Sequence, residues 1–156
     1  MKKLALLFAG LSLIATTACK DDAVEVQEFP LVGTWKPMKE NRTQVDVNGA
    51  GFTDEVVYTP CQQESRWVFN ENTTGKRTNN EEVGSPITCS VVSARNFTYV
   101  YNNSDKNVEI KYQGTVVSDK GKITLLDAET LNLKIEDNTD PNLYKSTTYT
   151  FKRIVQ

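Results

Sequence analysis

Phe97-Thr98-Tyr99-Val100-Tyr101 and Val108-Glu109-Ile110-Lys111-Tyr112, separated by six polar residues from Asn102 to Asn107, decide the fold. In the first run Phe97, Tyr99 and Tyr101 share one face, and Thr98 and Val100 take the other. In the second, Val108, Ile110 and Tyr112 alternate with Glu109 and Lys111. Period two is the spacing of a strand with one dry face. The Asn, Ser and Asp residues between the runs have the chemistry of a turn. The whole reads as an antiparallel hairpin.

The same pattern extends in both directions. Downstream, Ile123 and Leu125 alternate with polar neighbours, as do Leu131, Leu133 and Ile135, and then Tyr149 and Phe151. Asp127-Ala128-Glu129-Thr130 is a turn, and 137–142 is a polar loop. Upstream, 87–92 is β-branched, 80–86 is loop by composition, and 76–79 is a short polar strand. Asn70 to Gly75 is a turn after Trp67 and Phe69, which share a face. The first strand spans about 32–39, and Pro37 within it fits an edge, a bulge or a bend. A long connection follows over 41–60. In it, Asn48-Gly49 favours a hairpin-like excursion, and 53–58 allows one helical turn capped by Thr53. No stretch has a helix-length pattern.

These elements make about eight strands joined mostly by short turns. Sequential hairpins predict an all-β, antiparallel up-and-down barrel, in which closure removes the exposed edges. A two-sheet β-sandwich is the alternative with the same alternation.

Composition narrows the function. The 156 residues carry 18 basic and 20 acidic side chains, a net charge of -2, and no histidine. A mildly acidic chain with scattered charge has no footprint for nucleic acid. Without histidine the commonest general base and metal ligand are missing. No Gly-x-Ser-x-Gly elbow is present. The adjacent pairs Glu81-Glu82 and Asp21-Asp22 do not flank a bond as glycosidase carboxylates must. The expectation is a protein that is not an enzyme, with no cofactor and no metal.

The N-terminus reads as a leader. Met1-Lys2-Lys3 is a positive start, and 4–14 is apolar but too short to span a bilayer. Thr16-Thr17-Ala18-Cys19 follows. This stretch resembles a bacterial lipobox, with Thr16 in place of the usual aliphatic residue. The resemblance implies a signal peptide over 1–18 and an acylated Cys19, palmitate among its acyl groups, as the mature terminus. Residues 19–30 would be a tether, and 31–156 one folded domain. Lys20-Asp21-Asp22 resembles the charged tag of surface-exposed Gram-negative lipoproteins. It implies the outer membrane, on its outer face, with the periplasmic face as alternative.

Gly33-Thr34-Trp35 looks like the glycine-x-tryptophan of the lipocalins. With the lipobox, Phe69-Asn70-Glu71-Asn72, Gly75, Cys61 and Cys89, Ile123-Thr124-Leu125 and Leu131-Asn132-Leu133, the order resembles the lipocalin-like domains of bacterial lipoproteins. The resemblance implies a barrel whose tryptophan, Trp35, packs at the closed end beside Gly33. Arg153, or less well Lys152, would cover it. The C-terminal helix of lipocalins proper is absent, so ligand specificity does not transfer.

Cys61 and Cys89 admit a disulfide, two reactive thiols or a metal pair. A metal needs more soft ligands, and a redox pair is usually Cys-x-x-Cys. One pair left in an oxidising compartment favours the disulfide. The inward aromatics either fill the barrel or line a pocket. As pocket candidates we single out Trp67, Tyr99, Tyr101, Tyr112 and Tyr149, since buried hydroxyls need partners. The expected function is to bind a small apolar or amphipathic ligand. The alternative is a protein-binding module, such as a protease inhibitor or a surface-complex subunit. The chain is expected to be monomeric.

Overall fold

The computed structural model describes residues 28–155. The leader, Cys19 and all but the end of the tether lie outside these residues. The strands are β1 (Gly33–Asp46), β2 (Gly51–Val57), β3 (Arg66–Phe69), β4 (Thr74–Val83), β5 (Thr88–Tyr101), β6 (Asn107–Tyr112), β7 (Asp119–Leu126), β8 (Thr130–Asp137) and β9 (Leu143–Ile154). A single 3-10 turn, Gln62–Glu64, precedes β3. All neighbouring strands are antiparallel, and the last pairs with the first along Thr34↔Ile154 to Asp46↔Leu143. The sheet therefore closes on itself. β2 pairs only with the distal half of β1, which leaves eight strands in the ring. The result is the closed antiparallel barrel, not the sandwich.

Alternation drives closure. β6 alternates strictly, with Val108, Ile110 and Tyr112 buried and Asn107, Glu109 and Lys111 exposed. Phe97 and Tyr99 on β5, Ile123 on β7, Leu131 and Leu133 on β8 and Phe151 on β9 join the same core. Their rings interlock: Phe69 lies 5.1 Å from Tyr99 and 5.3 Å from Phe97, and Trp67 lies 5.4 Å from Phe151. These are the offset and edge-on geometries that aromatic quadrupoles prefer. This end of the barrel is filled by side chains, as the width of eight strands allows.

The filled end is also the closed end. Trp35 is 0 % exposed, and its Nε1 donates to the Leu31 carbonyl at 2.9 Å. The Arg153 guanidinium lies 4.1 Å from the indole centroid. The same group donates to the carbonyls of Pro30 (2.7 Å), Val32 (2.9 Å) and Ala128 (2.9 Å), so it ties the chain's entry to the β7–β8 turn. Lys152 is exposed and has no such contacts. Gly33 has φ +142°, and a Cβ there would stand 2.6 Å from the Arg153 Nη1. Only glycine leaves the guanidinium room.

Three expectations change. The first strand runs to Asp46 rather than 39, because β9 pairs with it throughout; Pro37 stands at its bulge, where the register shifts between Pro37 and Lys39. The helical turn expected over 53–58 is strand β2. Thr53 and Glu55 meet β1 through a hydroxyl pair with Thr43 at 3.0 Å and an ion pair with Lys39 at 2.7 Å. Cross-strand pairs of this kind override a weak local helical preference. The intervening turn is held by the Asp46 carboxylate, which accepts from the N–H groups of Asn48 and Ala50, with Gly49 at φ +81°. The loop expected over 80–86 is mostly strand, since β4 continues to Val83 opposite Thr88 on β5.

Candidate functional site

β1 leaves the closed end at Gly33 and pairs with β3 over only Gly33↔Phe69 to Trp35↔Trp67. Beyond that point β1 and β4 part, and the segment from Tyr58 to Ser65 fills the gap between them. It is sewn in by short bonds. Gln63 Nε2 donates to the Tyr58 carbonyl at 2.9 Å, the Asn80 N–H donates to Ser65 Oγ at 2.8 Å, and Arg66 Nη1 donates to the Gln63 and Ser65 carbonyls. Cys61 bonds to Cys89 on β5, which anchors the segment to the far side of β4. The disulfide favoured from the sequence is thus the pairing found.

The interior changes character at this open end. Above the aromatic floor, the inward register positions carry charge: Arg77 on β4, Arg95 on β5, Asp119 on β7 and, past the β1 bulge, Glu40. Arg77 stacks on Trp67 at 4.5 Å and lies 5.8 Å from the Tyr149 ring. Its Nε donates to Asn79 Oδ1 at 3.0 Å, and its Nη1 reaches the Tyr112 hydroxyl at a long 3.4 Å. Two cavities flank it. One, of about 300 Å³, is lined by Arg77, Arg95, Tyr112, Thr115, Val117 and Asp119, among others. The second, of about 200 Å³, lies against Glu40, Tyr58, Trp67, Arg77 and Tyr149.

Glu40 is only 5 % exposed, and it is satisfied within the wall. Arg42 Nε donates to it at 2.7 Å and forms an ion pair with it, and the Tyr58 hydroxyl donates from the other side at 2.5 Å. Burial, with the hydrogen bond to Glu40 next, pushes the Tyr58 hydroxyl far above its usual pKa. The tyrosine stays a donor. Burial likewise raises the Tyr112 and Tyr149 hydroxyls, against the pull of Arg77. Burial also raises the Asp119 carboxyl, with Arg77 and Arg95 opposing the shift. Tyr58→Phe removes a donor from a buried carboxylate. A hydrogen bond to a charged group contributes about 1.5–3 kcal/mol, and a loss of that size is expected in urea unfolding. A variant as stable as wild type would show that water replaces the phenol.

The expected pocket residues divide between the two ends. Tyr112 and Tyr149 line the open-end cavities, and Trp67 is the floor beneath Arg77. Tyr99 and Tyr101 stand at the closed end instead. The Tyr99 hydroxyl donates to the Asn70 carbonyl at 2.8 Å and the Tyr101 hydroxyl to Asn103 Oδ1 at 3.1 Å, so both belong to the fold and not to the mouth. The sequence reading missed Glu40, Tyr58, Arg77, Arg95 and Asp119. Period two continued outward from Gly75 and Phe97 would have found the two arginines.

The tips around the opening are apolar. Val47 and Phe52 on the β1–β2 hairpin, Ile87 at the β4–β5 turn, and Val116 and Val117 after β6 are all largely exposed.

A family model described as a lipocalin-like domain matches residues 31–133. No curated protein matches the sequence. Among solved structures, lobster apocrustacyanin A1 is 11 % identical, with a TM-score of 0.48; the match covers 80 % of this chain and 61 % of that one. This chain thus spans about three-fifths of the crustacyanin's length. Bovine odorant binding protein, solved with its natural ligand, is 13 % identical over 85 % of this chain and 78 % of that one, with a TM-score of 0.43. A Bacteroides ovatus protein of unknown function is 13 % identical over 80 % of this chain and 42 % of its own, with a TM-score of 0.36. At these scores the likenesses carry no inference about a ligand.

Proposed function

The chain belongs to the lipocalin-like domain family, and we propose that it binds one small amphipathic molecule at the open end of the barrel without chemically altering it. The observation that carries this reading is the pair of cavities beside Arg77, floored by Trp67 and walled by Tyr112 and Tyr149. The larger is at the lower end of the size range for small-molecule sites. Its polar lining argues against a purely apolar ligand. Native mass spectrometry of protein purified from its own host tests the reading. A discrete added mass, lost on denaturation, is expected. Protein that carries nothing from its host, and gains no thermal stability from a host small-molecule extract, would overturn it.

The reading includes a place for the protein. Residues 1–18 are assigned as a signal peptide, Cys19 as the acylated terminus, 19–30 as a tether, and 31–156 as the binding domain. The support is the apolar run 4–14 followed by Thr16-Thr17-Ala18-Cys19. The anchor would hold a monomeric domain at the outer membrane, and Asp21-Asp22 support its outer face. Cys19→Ala should move the protein from the membrane to the soluble fraction. A variant that stays with washed membranes would reject the anchor.

A second reading, a protein-binding module, is favoured by the exposed Val47, Phe52, Ile87, Val116 and Val117 around the opening. A host protein retained by wild type and lost with Phe52→Ser and Ile87→Ser would support it.

A further inference from the structure

Arg77 and Arg95 are directly paired across β4 and β5. Like charges at opposed positions destabilise a sheet, and here both side chains border the same cavity of about 300 Å³. Among the described residues the ion pairs are Lys39–Glu55, Arg42–Glu40 and Lys134–Glu136, so no carboxylate lies within 4.0 Å of either guanidinium. Arg77 spends one donor on Asn79 and one weakly on Tyr112, and it also approaches the Tyr149 hydroxyl, so none of its bonds goes to a charged acceptor. Arg95 is solvent-exposed at the rim of this cavity and makes no hydrogen bond among the described residues. A guanidinium held over an indole at a cavity wall, with no carboxylate of its own, is a preorganised receptor for a planar oxyanion.

Resting on the small-ligand reading above, we infer that the ligand carries a carboxylate, which enters first and lies between Arg77 and Arg95, while its apolar part points outward to Val117 and the tips. Charge balance selects a monoanion. Glu40 is neutralised by Arg42 within the wall. The cavity then holds two guanidinium groups against one carboxyl, Asp119, and a single added negative charge balances it. Glu81 borders only the neighbouring cavity. The direction follows from packing. Trp67, Phe97, Phe151 and Ile110 fill the interior below Arg77, so no apolar tail has room to pass inward. The opening carries the exposed Val47, Phe52, Ile87 and Val116, with Val117 on the cavity's edge. The polar end of the molecule is thus the deep end.

Octanoate, octanol and octylammonium share one tail and differ in the head, and calorimetric titration of the full chain with each tests the assignment. Octanoate is expected to bind at least about ten-fold more tightly than octanol, since a charge-assisted hydrogen bond is of that order. Octylammonium is expected to bind most weakly. Arg77→Gln and Arg95→Gln should each weaken octanoate by about ten-fold and leave octanol unchanged. Arg95→Gln removes no internal bond, so it keeps the test meaningful even if Arg77→Gln unfolds. If octanoate and octanol bind equally and Arg95→Gln changes neither, the carboxylate assignment fails while the small-ligand reading stands. If none of the three binds although a host molecule co-purifies, the assignment again fails alone. Absence of both removes the two together.

Discussion

Trp35→Ala is expected to cost about 3–5 kcal/mol, the range for removing a large buried aromatic. The indole is completely buried, and its N–H bond to the Leu31 carbonyl holds the segment that enters β1. The substitution opens a cavity at the closed end and frees the Leu31 acceptor. It also strands Arg153, which lies over the ring at 4.1 Å. Such a loss is a large share of a small domain's stability. Arg153→Ala should cost less, because the side chain is partly exposed and water can reach the carbonyls it leaves. The two losses should be non-additive, as groups in contact are, with a coupling of about 0.5–2 kcal/mol for the stacked cation. Lys152→Ala, exposed on the neighbouring position, should show no coupling to Trp35. A urea double-mutant cycle checks this. Additive losses, or coupling to Lys152 instead, would reject Arg153 as the partner.

Removing the Cys61–Cys89 bond with a double serine variant is the other large expected effect. The bond spans 28 residues of sequence. Chain-entropy reasoning gives roughly 3–4 kcal/mol for a loop of that length. The position adds a local consequence. The bond fixes the Tyr58–Ser65 segment, which stands where β1 no longer pairs with β3, and that segment brings Tyr58 to Glu40. Without the bond, hydrogen exchange should rise first at 58–66 and at the β4–β5 tip, while the closed end keeps its protection. Uniform loss of protection would show that the bond stabilises only through the unfolded chain. Alkylation before and after reduction checks the pairing: two further thiols should appear only after reduction.

The barrel was readable because its strands are half buried. Val108, Ile110 and Tyr112, or Leu131 and Leu133, can lie on only one face without exposing a row of apolar groups. β2 was not readable for the opposite reason. Gly51–Val57 is exposed on both faces for nearly its whole length, so its strand character comes from pairing with β1 and not from its own pattern. The open-end site was only half readable. Alternation placed Tyr112 and Tyr149 inward, but it does not say which end opens. Strand direction does: β1 begins at the closed end with Trp35, so β5, which runs the same way as β3, ends there. That puts Tyr99 and Tyr101 beside the closed end. Arg77 and Arg95 escaped notice because arginine is usually exposed. Only their register after Gly75 and before Phe97 shows them on the barrel's inner face, Arg77 half-buried and Arg95 exposed at the rim.

The most direct test of the account is to map a ligand onto the domain by nuclear magnetic resonance. Isotope-labelled protein, stripped by denaturation and refolded, would be titrated with the molecule that co-purifies from the host. The amide shifts should concentrate at Arg77, Arg95, Tyr112, Asp119 and Tyr149, with Gly33, Trp35, Tyr99 and Arg153 unmoved. Shifts centred on the closed end, or confined to the tips around Phe52 and Ile87 with the interior unchanged, would contradict a binding site at the open mouth.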